Sequence, residues 1–160
     1  MAIEKPVGAG KKEQISLDSA ATHLLEECRM VLPGIQALFG FQLIAVFNDA
    51  FEKKLSGGEQ LLHFAAIILV VLAVALVMAP AAILRVTQQR TVSERFIWLS
   101  SQLLFAGMLP LALALSLDIY LIGRVILGSV GLSAAIAASV LALVLVFWIA
   151  LPWSEQGKQG

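Results

Sequence analysis

Charge is scarce in this chain. Asp, Glu, Lys and Arg supply 14% of 160 residues, and eleven basic side chains balance eleven acidic ones. Soluble domains carry about 25% charged residues, and nucleic-acid-binding domains carry a basic excess, so the composition argues against both. The single cysteine, Cys28, excludes an internal disulfide, and no Cys/His spacing suggests zinc. There is no nucleophile–base pairing, phosphate-binding glycine loop or cofactor fingerprint. "LSGGEQ", at 55–60, matches letters of an ATPase signature, but no Walker A motif accompanies it. These absences predict a protein that is not an enzyme and carries no cofactor or metal.

What is abundant is apolar sequence, at 59% of the chain. Four runs contain no charge: Met30–Asn48 with 19 residues, Phe64–Leu84 with 21, Phe96–Leu117 with 22 and Val125–Trp153 with 29. A helix rises 1.5 Å per residue, so about 20 residues cross the roughly 30 Å hydrocarbon core. Backbone groups in lipid must be paired internally, which leaves helices or a closed barrel. Barrel strands alternate polar and apolar residues, whereas "FAAIILVVLAVALVMAPAAIL" does not alternate. The expectation is an all-α polytopic protein with spans at about 32–51, 61–84, 96–117 and 124–152. They form two antiparallel hairpins within a transmembrane domain at 32–153. Its obligate partner is the lipid bilayer.

Eight Lys and Arg residues, including Arg29 and Arg85, fall on one side of this layout and three, Lys53, Lys54 and Arg124, on the other. The positive-inside rule then places both termini in the cytoplasm. Residues 1–15 and 154–160 read as polar tails. Between them and the first span, Leu17, Ala21, Leu24, Cys28 and Val31 recur at helical spacing, with Ser16 as N-cap. This predicts an amphipathic cytoplasmic surface helix at 16–31 that bends into the membrane at Pro33. Arg29 is expected to pair with Glu26, Glu27 or Glu94. On the other side, "LDIYLIGR" is expected to form a tight turn, with Gly123 supplying its dihedrals and Tyr120 anchoring the interface. A charge at mid-membrane costs about 2.5–3.5 kcal/mol on insertion scales, so Asp118 and Arg124 are placed at the surface.

"ECRMVLPGIQALFGFQ", the span-two exit "APAAILR", and "GRVILGS" leading to "FWIALPW" resemble a family of small bacterial integral membrane proteins. That family is defined by a domain of unknown function, and some members bear a sodium/proton antiporter label. The resemblance covers about Leu24–Trp153. Its most specific element is Glu27, Arg29, Leu32, Pro33 and Gly34. Members often have His-Arg at the exit of span two, where this chain has Leu84 and Arg85. The resemblance implies a four-span protein of a bacterial inner membrane.

The candidate functional residues are Glu27, Arg29, Pro33, Gln36, Gln42, Asp49, Arg85, Asp118 and Arg124. An antiporter needs an ionisable group near the midplane, and the positions expected there, such as Phe41–Gln42 and Ala106–Met108, carry no charge. Gln36, Gln42 and Gln102 interrupt apolar runs; such amides act as interhelical glue worth about 0.6–2 kcal/mol each. The alternative is a polar path through an oligomer, with Gln42 near its centre. In span four, Ser129, Ser133 and Ala137, and also Gly131, Ala135 and Ser139, repeat every fourth residue. Such ladders let helices approach closely, which marks span four as a packing or homo-oligomer face. The favoured reading is an accessory or structural membrane protein, with a homo-oligomer or an unidentified membrane partner. The alternative is a cation or proton transporter, or a subunit of one, using Asp49, Glu52 and Asp118.

Overall fold

The computed structural model describes residues 17–87 and 93–150. The expected tails at 1–15 and 154–160, the Ser16 cap, Arg90, Pro152 and Trp153 lie outside the described residues. Within them the chain is helical, with no strand. Helix α1 runs Leu17–Ala45, short α2 Asp49–Lys54, α3 Gly57–Thr87, α4 Glu94–Leu127 and α5 Val130–Leu145. A π-helical turn, Val146–Ala150, extends α5. Four helices are long and apolar enough to cross a membrane: α1, α3, α4, and α5 with its π turn. This is an integral membrane protein.

Two expected boundaries are corrected. The surface helix at 16–31 and the first span at 32 are not separate elements, because α1 is one 29-residue helix with Pro33 inside it. Proline removes one backbone donor, and the rest of the α1 ladder continues past it. The turn expected at "LDIYLIGR" does not exist either, since α4 continues through it to Leu127. The chain turns instead at Gly128, whose φ of 69° lies in the left-handed region and whose N–H donates to the Arg124 carbonyl. Ser129 then caps α5 by accepting from the Leu132 N–H. The helix does not have to break at Asp118 and Arg124 because both find partners on neighbouring helices.

Contacts fix the helix directions. His63 meets Gln42, Gly107 lies against Ala73 and Val77, and Gly123 against Ser133. Consecutive long helices are therefore antiparallel. The most extensive interface joins α3 and α4; α1 lies against both, and α5 packs on α4. Lipid offers helices no hydrophobic drive to associate, so small residues that permit close packing carry the interfaces. Ala66, Ala73, Ala112 and Ala114 are buried accordingly. At Gly107 a Cβ would stand 3.3 Å from Val77 Cγ2, tighter than ordinary contact. A core of Cys28, Ile35, Val70, Val77 and Ala114 fills the α1–α3–α4 junction.

The two ladders of α5 separate. Ser133 and Ala137 are buried against α4, and Ser116 Oγ donates to the Ala137 carbonyl at 3.1 Å. Gly131, Ala135 and Ser139 face outward, and Ser139 Oγ returns its hydrogen bond to Ala135 of its own helix. The outward surface is otherwise rich in large apolar side chains, among them Phe41, Phe64, Trp98, Leu143 and Phe147. That is the surface a lipid solvent requires.

Candidate functional site

At the end of the bundle that carries α2, α3 begins with a capping box. The Ser56 N–H and Oγ donate to Glu59 Oε2 at 2.8 and 2.9 Å, and the Glu59 N–H donates back to Ser56 Oγ at 3.3 Å. The other carboxylate oxygen of Glu59 accepts from Arg124 Nε, and Tyr120 Oη approaches it at 3.4 Å. Arg124 Nη1 also donates to the Gly128 carbonyl at 2.7 Å. Glu59 and Arg124 keep 8% and 17% of their side chains exposed. This cluster ties the start of α3 to the end of α4 and to the turn that follows. Tyr120 acts here as a donor to Glu59.

Asp118 lies six residues before Arg124 on α4, about 9 Å farther into the bundle. Its side chain is 13% exposed. Oδ2 accepts from Gln42 Nε2 at 2.8 Å, and Oδ1 stands 4.0 Å from His63 Nδ1. Asp118 is thus held among α1, α3 and α4 rather than in a turn at the end of its helix. Gln42, expected near mid-membrane, and Asp118, expected at the interface, are bonded neighbours at one level. The cost of bringing a carboxylate inward is met by an amide donor and a histidine, as buried polar groups in membranes require.

The histidine geometry is informative. His63 Nε2 lies 2.9 Å from the backbone carbonyl of Gln42. A carbonyl only accepts, so Nε2 carries a proton and donates. A neutral ring then turns its unprotonated Nδ1 towards the carboxylate. The space between Nδ1 and Asp118 Oδ1 can accordingly take one further proton, on either atom. Phe51 of α2 stacks edge-on against the His63 ring, with centroids 5.1 Å apart, and covers that side of the pair.

A cavity of about 430 Å³ opens onto these groups. Its walls are mostly apolar, from Leu38, Phe41, Leu121 and Ile122, with Gln42, His63, Asp118 and Asn48 as the polar lining. Gln42 is 3% exposed, and its Oε1 has no hydrogen-bond donor among the described residues. Gln42 and Asp118 thus line one cavity, and beside them the Gln42 amide oxygen is a buried acceptor that no described donor meets. The arrangement fits a proton, a small cation or another hydrogen-bond donor.

Of the residues expected to be functional, the structure brings together Gln42, Asp118 and, one layer outward, Arg124. Asp49 is exposed on α2 and pairs with Lys53 at 2.8 Å, one turn away. Gln36 and Pro33 are exposed on α1. Glu27, Arg29 and Arg85 lie towards the opposite end, and the expected pairing of Arg29 with Glu26, Glu27 or Glu94 is not among the ion pairs of the described residues. Two residues of the site were not among the candidates. Glu59 is signalled by Ser56-x-x-Glu59 ahead of an apolar run, the capping-box pattern. His63 follows Glu59 by one turn, on the same face of α3.

The profile of a family of unknown function, DUF6328, matches residues 11–152. No curated protein matches the chain, and no solved structure does.

Proposed function

The chain belongs to this family of unknown function, and as a member of it we propose that it moves protons or small cations across a membrane, with Asp118, His63 and Gln42 as the ion site. One observation carries the reading: a largely buried carboxylate, well inside the level of Arg124, has a neutral amide and an imidazole as partners rather than a fixed cation. Ionisable groups within spans are costly, and in transport proteins they mark ion pathways and proton relays. The other buried acid, Glu59, has a guanidinium and suits a structural role. Glu26, Glu27, Asp49, Glu52 and Glu94 are exposed.

The residues would divide the work as follows. His63 is oriented by its Nε2 bond to the Gln42 carbonyl, so that a proton exchanges between Nδ1 and Asp118. The Gln42 amide offers Nε2 to the carboxylate when Asp118 is ionised. It can rotate to offer Oε1 when Asp118 is protonated, so the amide follows the charge state. A cation entering the cavity would take the Asp118 carboxylate as its ligand and displace the proton. The test is flux in proteoliposomes under imposed proton and sodium gradients. Asp118→Asn should reduce flux to the empty-vesicle level. Undiminished flux in that variant, or none in the wild type under either gradient, would sink the proposal.

In this reading the protein sits in a bacterial inner membrane with both termini in the cytoplasm, as the Lys/Arg asymmetry favours. The site then opens towards the outside. An accessory or oligomeric role is the second reading, supported by the outward stripe of Gly131, Ala135 and Ser139 on α5. A copy packed there would give the transporter a second wall. Crosslinking through cysteine at Ala135 would capture such a dimer, and its failure in native membranes would remove this reading.

A further inference from the structure

We infer that the groove between α1 and α3, at the end remote from α2, is a binding site for an anionic phospholipid. The groove has a volume of about 940 Å³, with Leu25 and Leu32 of α1 on one wall and Met78 and Ala82 of α3 on the other. Arg29 and Arg85 line it as well, one from each helix. Both arginines are exposed, and neither takes part in an ion pair among the described residues. Arg124 at the other end has a carboxylate partner. Two guanidiniums with no carboxylate partner among the described residues, at an apolar slot between membrane-spanning helices, complement a phosphodiester headgroup followed by an acyl chain. A guanidinium binds phosphate in a fork, and basic pockets between spans bind anionic headgroups. The long apolar stem of an arginine suits such a position, since it can lie along apolar surface while its head reaches the polar layer. A free phosphate ion would use the guanidiniums and leave the apolar walls unmatched, so the lipid is the better complement.

The experiment is native mass spectrometry of the full chain released from nanodiscs of equimolar phosphatidylglycerol and phosphatidylcholine. The wild type should retain phosphatidylglycerol in preference. Arg29→Gln with Arg85→Gln should weaken that retention roughly thirtyfold, from the usual contribution of two basic groups near an anionic surface. Arg95→Gln, an exposed arginine outside the groove, should leave it unchanged. Ala82→Trp fills the groove with both guanidiniums present, and should also release the lipid. Helicity and elution volume establish that each variant is folded. Equal retention of the two lipids would overturn the inference, as would unchanged retention in the double variant or in Ala82→Trp. So would a loss in Arg95→Gln as large as in the double variant, or displacement of the lipid by soluble glycerol phosphate.

Discussion

Glu59 and Asp118 are carboxylates at the same end of one bundle, one buried and one largely so, yet their surroundings differ in kind. Glu59 is held by Arg124 and by both donors of Ser56, so its charge is matched in place and its oxygens are occupied. Asp118 is held by a neutral amide and faces a histidine that can gain or lose a proton. The first arrangement fastens α3 to α4. The second leaves a carboxylate without a fixed counter-charge beside a cavity. Burial alone therefore does not mark a functional acid; the permanence of its partner does.

The contrast can be broken most severely by exchanging the defects. Asp118→Asn should abolish flux while leaving thermal unfolding in detergent nearly unchanged, because the amide still fits beside Gln42. Arg124→Gln should do the reverse: it strands Glu59 buried without a counter-charge, so folded yield collapses while the protein that does fold keeps its ion site. Should both variants lose flux at full stability, the two acids would not differ in role.

A smaller effect is expected from the packing that holds both sites at one level. At Gly123 a Cβ would stand 2.9 Å from Ser133 Oγ and 3.0 Å from Ser133 Cβ, so Gly123→Ala must push α5 away from α4. The expected cost is about 1–3 kcal/mol, read by denaturation in detergent, and Ser133→Gly should recover most of it in the double variant. Gln42→Leu removes the donor to Asp118 and should cost about 1–3 kcal/mol, with flux reduced but not abolished. The smallest effect belongs to Asp49→Asn. Its pair with Lys53 is a solvent-exposed one-turn contact, worth about 0.3–0.5 kcal/mol, and flux should not change. A strong loss of flux there would move the ion site from the cavity to α2.

Much of the fold was legible in the sequence. Charge-free runs of spanning length locate α1, α3, α4 and α5, and the helical expectation is met. The errors fell where a local rule met a tertiary partner. Asp118 and Arg124 looked like the ends of a tight turn because a charge in lipid is expensive, but Glu59, Gln42 and His63 give both of them partners along a continuing helix. The turn consequently shifted from Gly123 to Gly128, and Gly123 became a point of close helix contact. Pro33 looked like a boundary, but it lies within a continuous helix. Half of the small-residue pattern in α5 was legible as packing; which half faces α4 was not.

Hydropathy and helix formation are sums over neighbouring residues, so the chain by itself determined its membrane class, its helical content and the spanning lengths. The meeting of Gln42, His63 and Asp118 depends on the rotation and register of three helices, in segments separated by 21 and 76 residues. No local sum contains those quantities. Close packing at small residues set them, and only the tertiary structure decided that one acid would meet a guanidinium and the other an amide and an imidazole.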